Sequence, residues 1–398
     1  MRYLSAHYVF PISSPPLKNG IVCVNDDGSI ADLIDTGGKV VEREKLEFYN
    51  GILVPGFVNA HCHLELSYLR KTIKPGSGLP DFIYSVSQSK NVSRETIIEA
   101  AKTADWEMRK NGIVAVGDIS NNAETRFIKA NSSIRYFTFV EMLGLDDKRS
   151  EEIFLTAQCA KRAYIDAGLP TSLVPHAIYS LSRALWEKLY QYYKSSSPDV
   201  ISIHHQESDE ETGPYLRGRG TMADAFREKG FLTDANTPTP EVLSQMERCL
   251  SRAKRCLLVH NTYSSYSSLR RYISTTGQYF FVLCPGSNLF IQKRLPDLIL
   301  FSSQKLCQNV CIGTDSLASN SQLSVLEEIK IINRHAPEIP LDLLLQWATV
   351  NGARALGFED KIGSFDKGKN PGINLITGID FNKMKFNDDS AVKNLVFI

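Results

Sequence analysis

Short apolar runs alternate with stretches of helical spacing through most of this chain. The runs fall at 56–60, 113–117, 136–140, 172–175, 200–203, 256–259, 279–283 and 310–313. Between them, apolar residues recur every three or four positions, as in Ile97, Ile98, Ala101, Ala104 and Met108 of 95–110. That spacing puts them on one face of a helix. The stretches 151–167, 182–193, 240–253 and 323–334 have the same character, and 341–356 reads as one helix stopped by Gly357. Start and stop signals frame several of these, such as Ser93 before 95–110 and Asn111-Gly112 after it. Eight β runs separated by helices predict an α/β architecture, a (β/α)8 TIM barrel.

Both ends of the chain break this rhythm. Ile21-Val22-Cys23-Val24, then Asp26-Asp27-Gly28, then Ser29-Ile30 is a hairpin signal, and 51–54 is a further strand. Past Gly357, the segments 362–365, 367–369, 373–376 and 395–398 read as short strands punctuated by Gly and Lys. A β-rich head and tail predict one small β-sandwich domain built from 1–54 and 357–398, attached to a barrel over 55–356.

Composition narrows the partners. The 398 residues carry 45 Lys+Arg against 44 Asp+Glu, a net charge of +1. That leaves no charge-based argument for nucleic acid or an anionic membrane as partner. The eight cysteines are scattered with no CxxC pair, so they read as buried thiols in a reducing compartment. The first residues are too short an apolar stretch, and too broken by proline, for a signal peptide or membrane anchor. The expectation is a cytoplasmic protein that acts on a small molecule.

Candidate chemistry sits where the apolar runs end. In Pro55-Gly56-Phe57-Val58-Asn59-Ala60-His61-Cys62-His63-Leu64-Glu65, two histidines at alternate strand positions point the same way and can reach one ion. Cys62 between them points away. His204 closes the run 200–203, with Glu207 three residues on, and His205 faces the opposite side. His260 closes 256–259. Asp315 follows 310–313, where a buried carboxylate is costly unless a cation compensates it. Each has a plain structural reading: polar strand ends, a satisfied buried histidine, an Asp that caps the next helix. Taken together, at the C-terminal ends of strands in a predicted barrel, they point to a catalytic metal site. HExxH and the HxE…PCxxC pattern are both absent, which argues against a zincin protease and against the zinc deaminases that carry the latter pattern.

The ordered set PGFVNAHCHLE, PHAIYS (175–180), IHHQES, LLVHN, LCPGSN (283–288), GTDSLASN (313–320), ATVNGARALG and GSFDKGK resembles the amidohydrolase superfamily. It is most similar to the deaminase and chlorohydrolase branch, which includes aminodeoxyfutalosine, S-adenosylhomocysteine/methylthioadenosine and guanine deaminases. The resemblance implies that His61, His63, His204 and Asp315 ligate one divalent metal, Zn²⁺ by preference, with Fe²⁺ or Mn²⁺ also suited to such ligands. It implies that Glu207, His260 and Asp315 handle protons, and that His176, Tyr179, Glu65, Asn288, Ser67 and Asn320 line the substrate pocket. For Glu65 a structural role stays open. Two-metal relatives use a carboxylated lysine after the fourth strand; here 172–176 contains none, which implies a single metal. The implied reaction is hydrolysis of a non-peptide carbon–nitrogen bond, with deamination of an amino-purine or nucleoside-like heterocycle foremost. Cyclic amide hydrolysis, triazine dechlorination and a metal-free scaffold role remain as alternatives. Similar enzymes often dimerise, so the resemblance allows a homodimer.

Overall fold

The eight apolar runs become the bodies of eight parallel strands in two sheets of four. The computed structural model describes residues 1–89, 92–211, 213–273 and 278–397. The head of the chain supplies β1 (Arg2–Val9), β2 (Leu17–Lys18), β3 (Ile21–Val24), β4 (Ile30–Ile34) and β5 (Leu46–Pro55). Next, β6 (Phe57–Cys62), β7 (Ile113–Ser120), β8 (Arg135–Met142) and β9 (Thr171–Pro175) pair in chain order. The second sheet is β10 (Val200–His205), β11 (Arg255–His260), β12 (Tyr279–Leu283) and β13 (Val310–Ile312), also in chain order. Every position of β6, β7, β10 and β12 is buried, which is why these strands read as mostly apolar runs. Two isolated parallel bridges join the sheets, Ala177 with His204 on one side and Cys62 with Asp315 on the other.

Helices connect the strands. The helix Arg94–Lys110 starts at Ser93, whose side chain accepts from Thr96 N, and buries Ala101, Ala104 and Met108. Ser182 caps Arg183–Ser196 in the same way through Leu185 N. The single helix expected over 341–356 is two helices, Leu341–Ala348 and Val350–Leu356. Thr349 between them leaves helical geometry at φ −132°, ψ −92°. That turn lets Trp347 Nε1 and Asn351 Nδ2 both donate to Cys307 O, at 2.9 and 3.1 Å.

The two chain ends share one seven-stranded sheet, in the order β15-β14-β5-β1-β3-β4 with β2 on β1, where β14 is Ile373–Asp380 and β15 is Lys385–Val396. Its Leu4, Val22, Leu53 and Leu375, with Phe365 from outside the strands, form a cluster separate from the main core. The expected strand 362–365 is instead a bend: Ile362 N donates to Phe358 O and Phe365 N to Pro11 O. In place of a short strand at 395–398, β15 begins at Lys385. Its polar Asn387, Asp388 and Asp389 are exposed, so periodicity hid it. Ile398 lies outside the described residues. Seven cysteines are buried free thiols, as expected, but Cys159 is exposed. Among the described residues no helix is long and apolar enough to cross a membrane.

One buried ion pair braces the strand ends. Lys129 Nζ lies 2.5 Å from Asp118 Oδ2, with both side chains at 0% exposure, and also bonds Ser120 Oγ at 2.9 Å. Asp118 Oδ1 in turn accepts from Leu64 N at 2.7 Å, immediately after His63. Lys129→Met leaves that carboxylate buried and unpaired, so it should destabilise the fold by about 3–5 kcal/mol in urea unfolding. A loss below about 1 kcal/mol, the value of a surface pair, contradicts this account.

Candidate active site

Four histidines and an aspartate converge where β6, β10, β11 and β13 end. His61 lies on β6 and His63 just beyond it, and the period of two brings their Nε2 atoms to 3.2 Å. The His204 ring, from β10, is 5.0 Å from that of His61 and 5.5 Å from that of His63. The His260 ring, from β11, is 5.4 Å from that of His204. Asp315 Oδ1 sits 3.6 Å from His61 Nε2 and 3.4 Å from His63 Nε2. The candidate ligand atoms of His61, His63 and Asp315 lie within 4.8 Å of one another, and so do those of His61, His204 and His260. Gly313 permits this approach, because a Cβ there would meet His61 Cβ at 2.9 Å and Val282 Cγ1 at 2.9 Å.

The electrostatics describe a place built for a cation. Burial, reinforced by neighbouring imidazoles, holds His63 and His260 far below the usual histidine range and His204 down to about 4. All three are therefore neutral near pH 7. Burial also opposes the charge of Asp315, but the hydrogen bond from His61 and the imidazoles of His63 and His260 outweigh it, and the carboxyl stays well below its ordinary value. His61 Nε2 and His63 Nε2, 3.2 Å apart, leave room for at most one proton between them. His61 Nδ1 and His260 Nδ1 are buried without a partner. Neutral imidazoles and one carboxylate with few protons between them are the donor set that a divalent ion takes.

Outer contacts orient these groups. His204 Nδ1 bonds His176 O at 2.9 Å, which turns its other nitrogen inward. Asp315 Oδ2 accepts from Ser287 Oγ and Ser319 Oγ, both at 2.6 Å. Asn59 Nδ2 donates to Thr314 Oγ1 at 2.7 Å, and Thr314 N to Asn59 Oδ1 at 3.0 Å, tying β6 to the end of β13. The backbone is left-handed at Gln206 (φ 49°), His260 (74°), Asn261 (55°) and Asp315 (58°). Such conformations cost roughly 1–3 kcal/mol each and gather where function demands a particular side-chain direction.

Glu207 is buried, with Oε1 3.7 Å from His260 Nε2. Burial, then the charges of Asp315 and Glu211, pushes its carboxyl well above the ordinary value. Glu211 clamps the turn that carries it, accepting N–H bonds from Gln206, Glu207 and Ser208 at 2.7, 2.7 and 2.9 Å. The His176 ring lies 4.6 Å from that of His204 and 5.6 Å from that of Tyr179, so both join the cluster. Asn288 donates to Thr262 Oγ1 and leaves a buried Oδ1 without a partner. Glu65 is buried beside Asn121, whose backbone N–H it accepts. Two pocket candidates are otherwise engaged. Ser67 Oγ donates to Leu64 O, and Asn320 Nδ2 donates to Thr314 O and Glu328 Oε1. His205 faces outward as expected, its Nδ1 3.0 Å from Asn261 Oδ1.

Sequence reasoning passed over Ser287, Ser319, Glu211 and Glu141. The first three gave no signal, being polar residues in loops or helix starts. Glu141 did give one. It is an acid one residue from the end of β8, directly after the mostly apolar run 136–140, much as Asp315 follows 310–313. Its candidate ligand atom and those of His176 and His204 lie within 4.8 Å of one another.

The Amidohydrolase family matches residues 52–397, and the chain belongs to it. An adenosine deaminase of Helicobacter pylori is 26% identical over 349 residues, covering 87% of this chain and 82% of its own length. Among solved structures, a Helicobacter pylori aminofutalosine deaminase in complex with methylthio-coformycin superposes with a TM-score of 0.77 at 23% identity, covering 95% of this chain and 92% of that one. The zinc complex of an atrazine chlorohydrolase from Arthrobacter aurescens gives 0.73 at 15% identity, covering 100% and 95%.

Removing both hydroxyls that hold Asp315, in Ser287→Ala/Ser319→Ala, should weaken divalent-metal binding by about 10–100-fold with the fold intact. Competition with a chromogenic chelator measures this. Unchanged affinity contradicts the role given to these serines.

Proposed function

We propose that this chain is a hydrolytic deaminase acting on an amino-substituted purine or nucleoside-like heterocycle, with one divalent cation held by His61, His63, His204 and Asp315. The carrying observation is the convergence of the buried imidazoles of His61, His63 and His204 on an Asp315 carboxylate kept ionised among them. Zn²⁺ is the preferred ion, and Fe²⁺ or Mn²⁺ suit the same donors. In this reading the two bridges between the parallel sheets close a (β/α)8 barrel over 55–356, with the site at its C-terminal mouth. The composite sheet of 1–54 and 357–398 folds around its own apolar cluster as a small β-sandwich. The buried free thiols support a reducing, cytoplasmic setting.

A cation in this set supplies an acidified water as nucleophile. The protein's own groups do the rest. Glu207, kept protonated by burial, donates to a ring nitrogen and makes the adjacent carbon electrophilic. Asp315 takes a proton from the attacking water. His260 hydrogen-bonds the developing oxyanion from the face next to Glu207. The amino group leaves as ammonia once a proton has been returned to it.

The test is ammonia release by metal-loaded protein across aminopurines, pterins and nucleosides, with chloride release from chlorotriazines as the second arm. Ammonia from a purine or its nucleoside is expected. Chloride release alone would replace deamination by dechlorination, and no activity with no bound metal would favour a scaffold. Glu207→Gln should retain the metal but lower kcat by about 10²–10⁴-fold. Full turnover in that variant refutes the proton role.

A further inference from the structure

A cavity of about 700 Å³ opens at the end of the strands opposite to the histidines. It is lined by 132–136 leading into β8, by 167–170 leading into β9, and by 357, 358, 360 and 361 beyond the helix Val350–Leu356. Strand register explains the gap. β8 starts at Arg135, opposite Ala115 of β7, whereas β9 first pairs at Thr171, opposite Thr138. Arg135, Tyr136 and Phe137 therefore run past the start of β9, and the space beside them is left open. Leu169, Pro170 and Phe358 give the cavity apolar wall.

Arg135 is the unusual group here. It is partly buried, and its Nε is buried without a hydrogen-bond partner. Among the described residues its guanidinium makes no hydrogen bond or ion pair. Burial pushes it below the usual arginine range with no carboxylate to oppose the shift, yet an arginine stays charged throughout the physiological range. Two other charges line the cavity, Asp360 and Lys361. Both are exposed and of opposite sign, so the guanidinium sets the charge of the interior. Lys129 also stands in the wall, but its ammonium is held by Asp118. A partly buried cation without a partner is costly, and the N-terminal face of a barrel ordinarily serves stability.

We propose that this cavity binds a small organic anion, with a phosphate or carboxylate group on Arg135 and an apolar or ring-shaped body against Leu169, Pro170 and Phe358. The volume suits such a molecule, since ligand cavities run from about 300 to 1,000 Å³. The guanidinium fork matches the paired oxygens of either head group. A bare phosphate ion fits less well, because it leaves the apolar wall uncovered. The site is separate from the metal centre. Arg135 and Glu141 are six residues apart on β8, about 20 Å at the rise of a strand, and it is Glu141 that abuts His204. The inference does not rest on the deaminase reading.

The test titrates phenyl phosphate, benzoate, inorganic phosphate and benzyl alcohol by calorimetry into metal-loaded wild type, Arg135→Met and Arg135→Lys. Phenyl phosphate or benzoate should bind the wild type saturably; heat that persists in Arg135→Met belongs to the metal centre. Affinity should fall about 10–100-fold in Arg135→Met, which removes the charge, and about threefold to tenfold in Arg135→Lys, which keeps the charge and loses the fork. The tighter of the two organic anions identifies the head group. Benzyl alcohol should not bind, and inorganic phosphate should bind about tenfold more weakly than phenyl phosphate because no ring is buried. Without a probe, Arg135→Met should be at least as stable as the wild type, and the anion should raise Tm in the wild type alone. Binding that ignores Arg135, no saturable binding by either organic anion, or inorganic phosphate binding as tightly as phenyl phosphate overturns the proposal. So does an Arg135→Met chain that fails to fold or melts several degrees lower, which would make the guanidinium structural. A change of oligomeric mass in Arg135→Met also overturns it, by giving the guanidinium a partner on a second copy.

Discussion

Six ionisable side chains, His61, His63, His204, Glu207, His260 and Asp315, are packed together out of water, and their mutual contacts do not satisfy them. Burial drives His63, His204 and His260 to their neutral forms, yet the Asp315 carboxylate beside them stays charged. A single buried carboxylate amid neutral donors is costly unless positive charge arrives from outside the protein. This imbalance organises the rest of the site. It accounts for the serines on the far oxygen of Asp315, for the carbonyl that sets the His204 tautomer, and for the protonated Glu207 at the edge.

The backbone serves that arrangement at a cost. Four non-glycine residues at the ends of β10, β11 and β13, Gln206, His260, Asn261 and Asp315, are left-handed. Asp315 N donates to His61 O at 3.0 Å, so the carboxylate and the first imidazole share one rigid junction. Glu211 gathers three consecutive amides and thereby fixes the peptide that carries Glu207. The Lys129–Asp118 pair steadies the turn after His63 from behind. The chemical groups sit on strand ends, and their precision comes from loops clamped by buried acceptors.

The strands were legible because they are buried on both faces, so they appear in the sequence as short, mostly apolar runs, several of them ending in a polar residue. His61, His63, His204, His260 and Asp315 stood out for the same reason: an ionisable group at the end of such a run is conspicuous. The residues that orient them were not conspicuous. Ser287 at a helix start and Ser319 in a loop are ordinary in the sequence, and only the fold carries them to Asp315. The tail misled in two ways. β15 is polar on its exposed face and gives no apolar run, and 362–365 looks like a strand but is pinned as a bend by Phe358 and Pro11. The break at Thr349 was invisible because the helical spacing continues through it, while Trp347 and Asn351 need two different axes to reach one carbonyl.

The most direct measurement is a calorimetric titration of metal-stripped protein with Zn²⁺, run beside Asp315→Asn and His61→Ala/His63→Ala. The account predicts one ion per chain in the wild type, a rise in Tm on binding, and loss of both in the variants. A wild-type chain that takes up no divalent ion, or one whose binding is untouched by these substitutions, would contradict it.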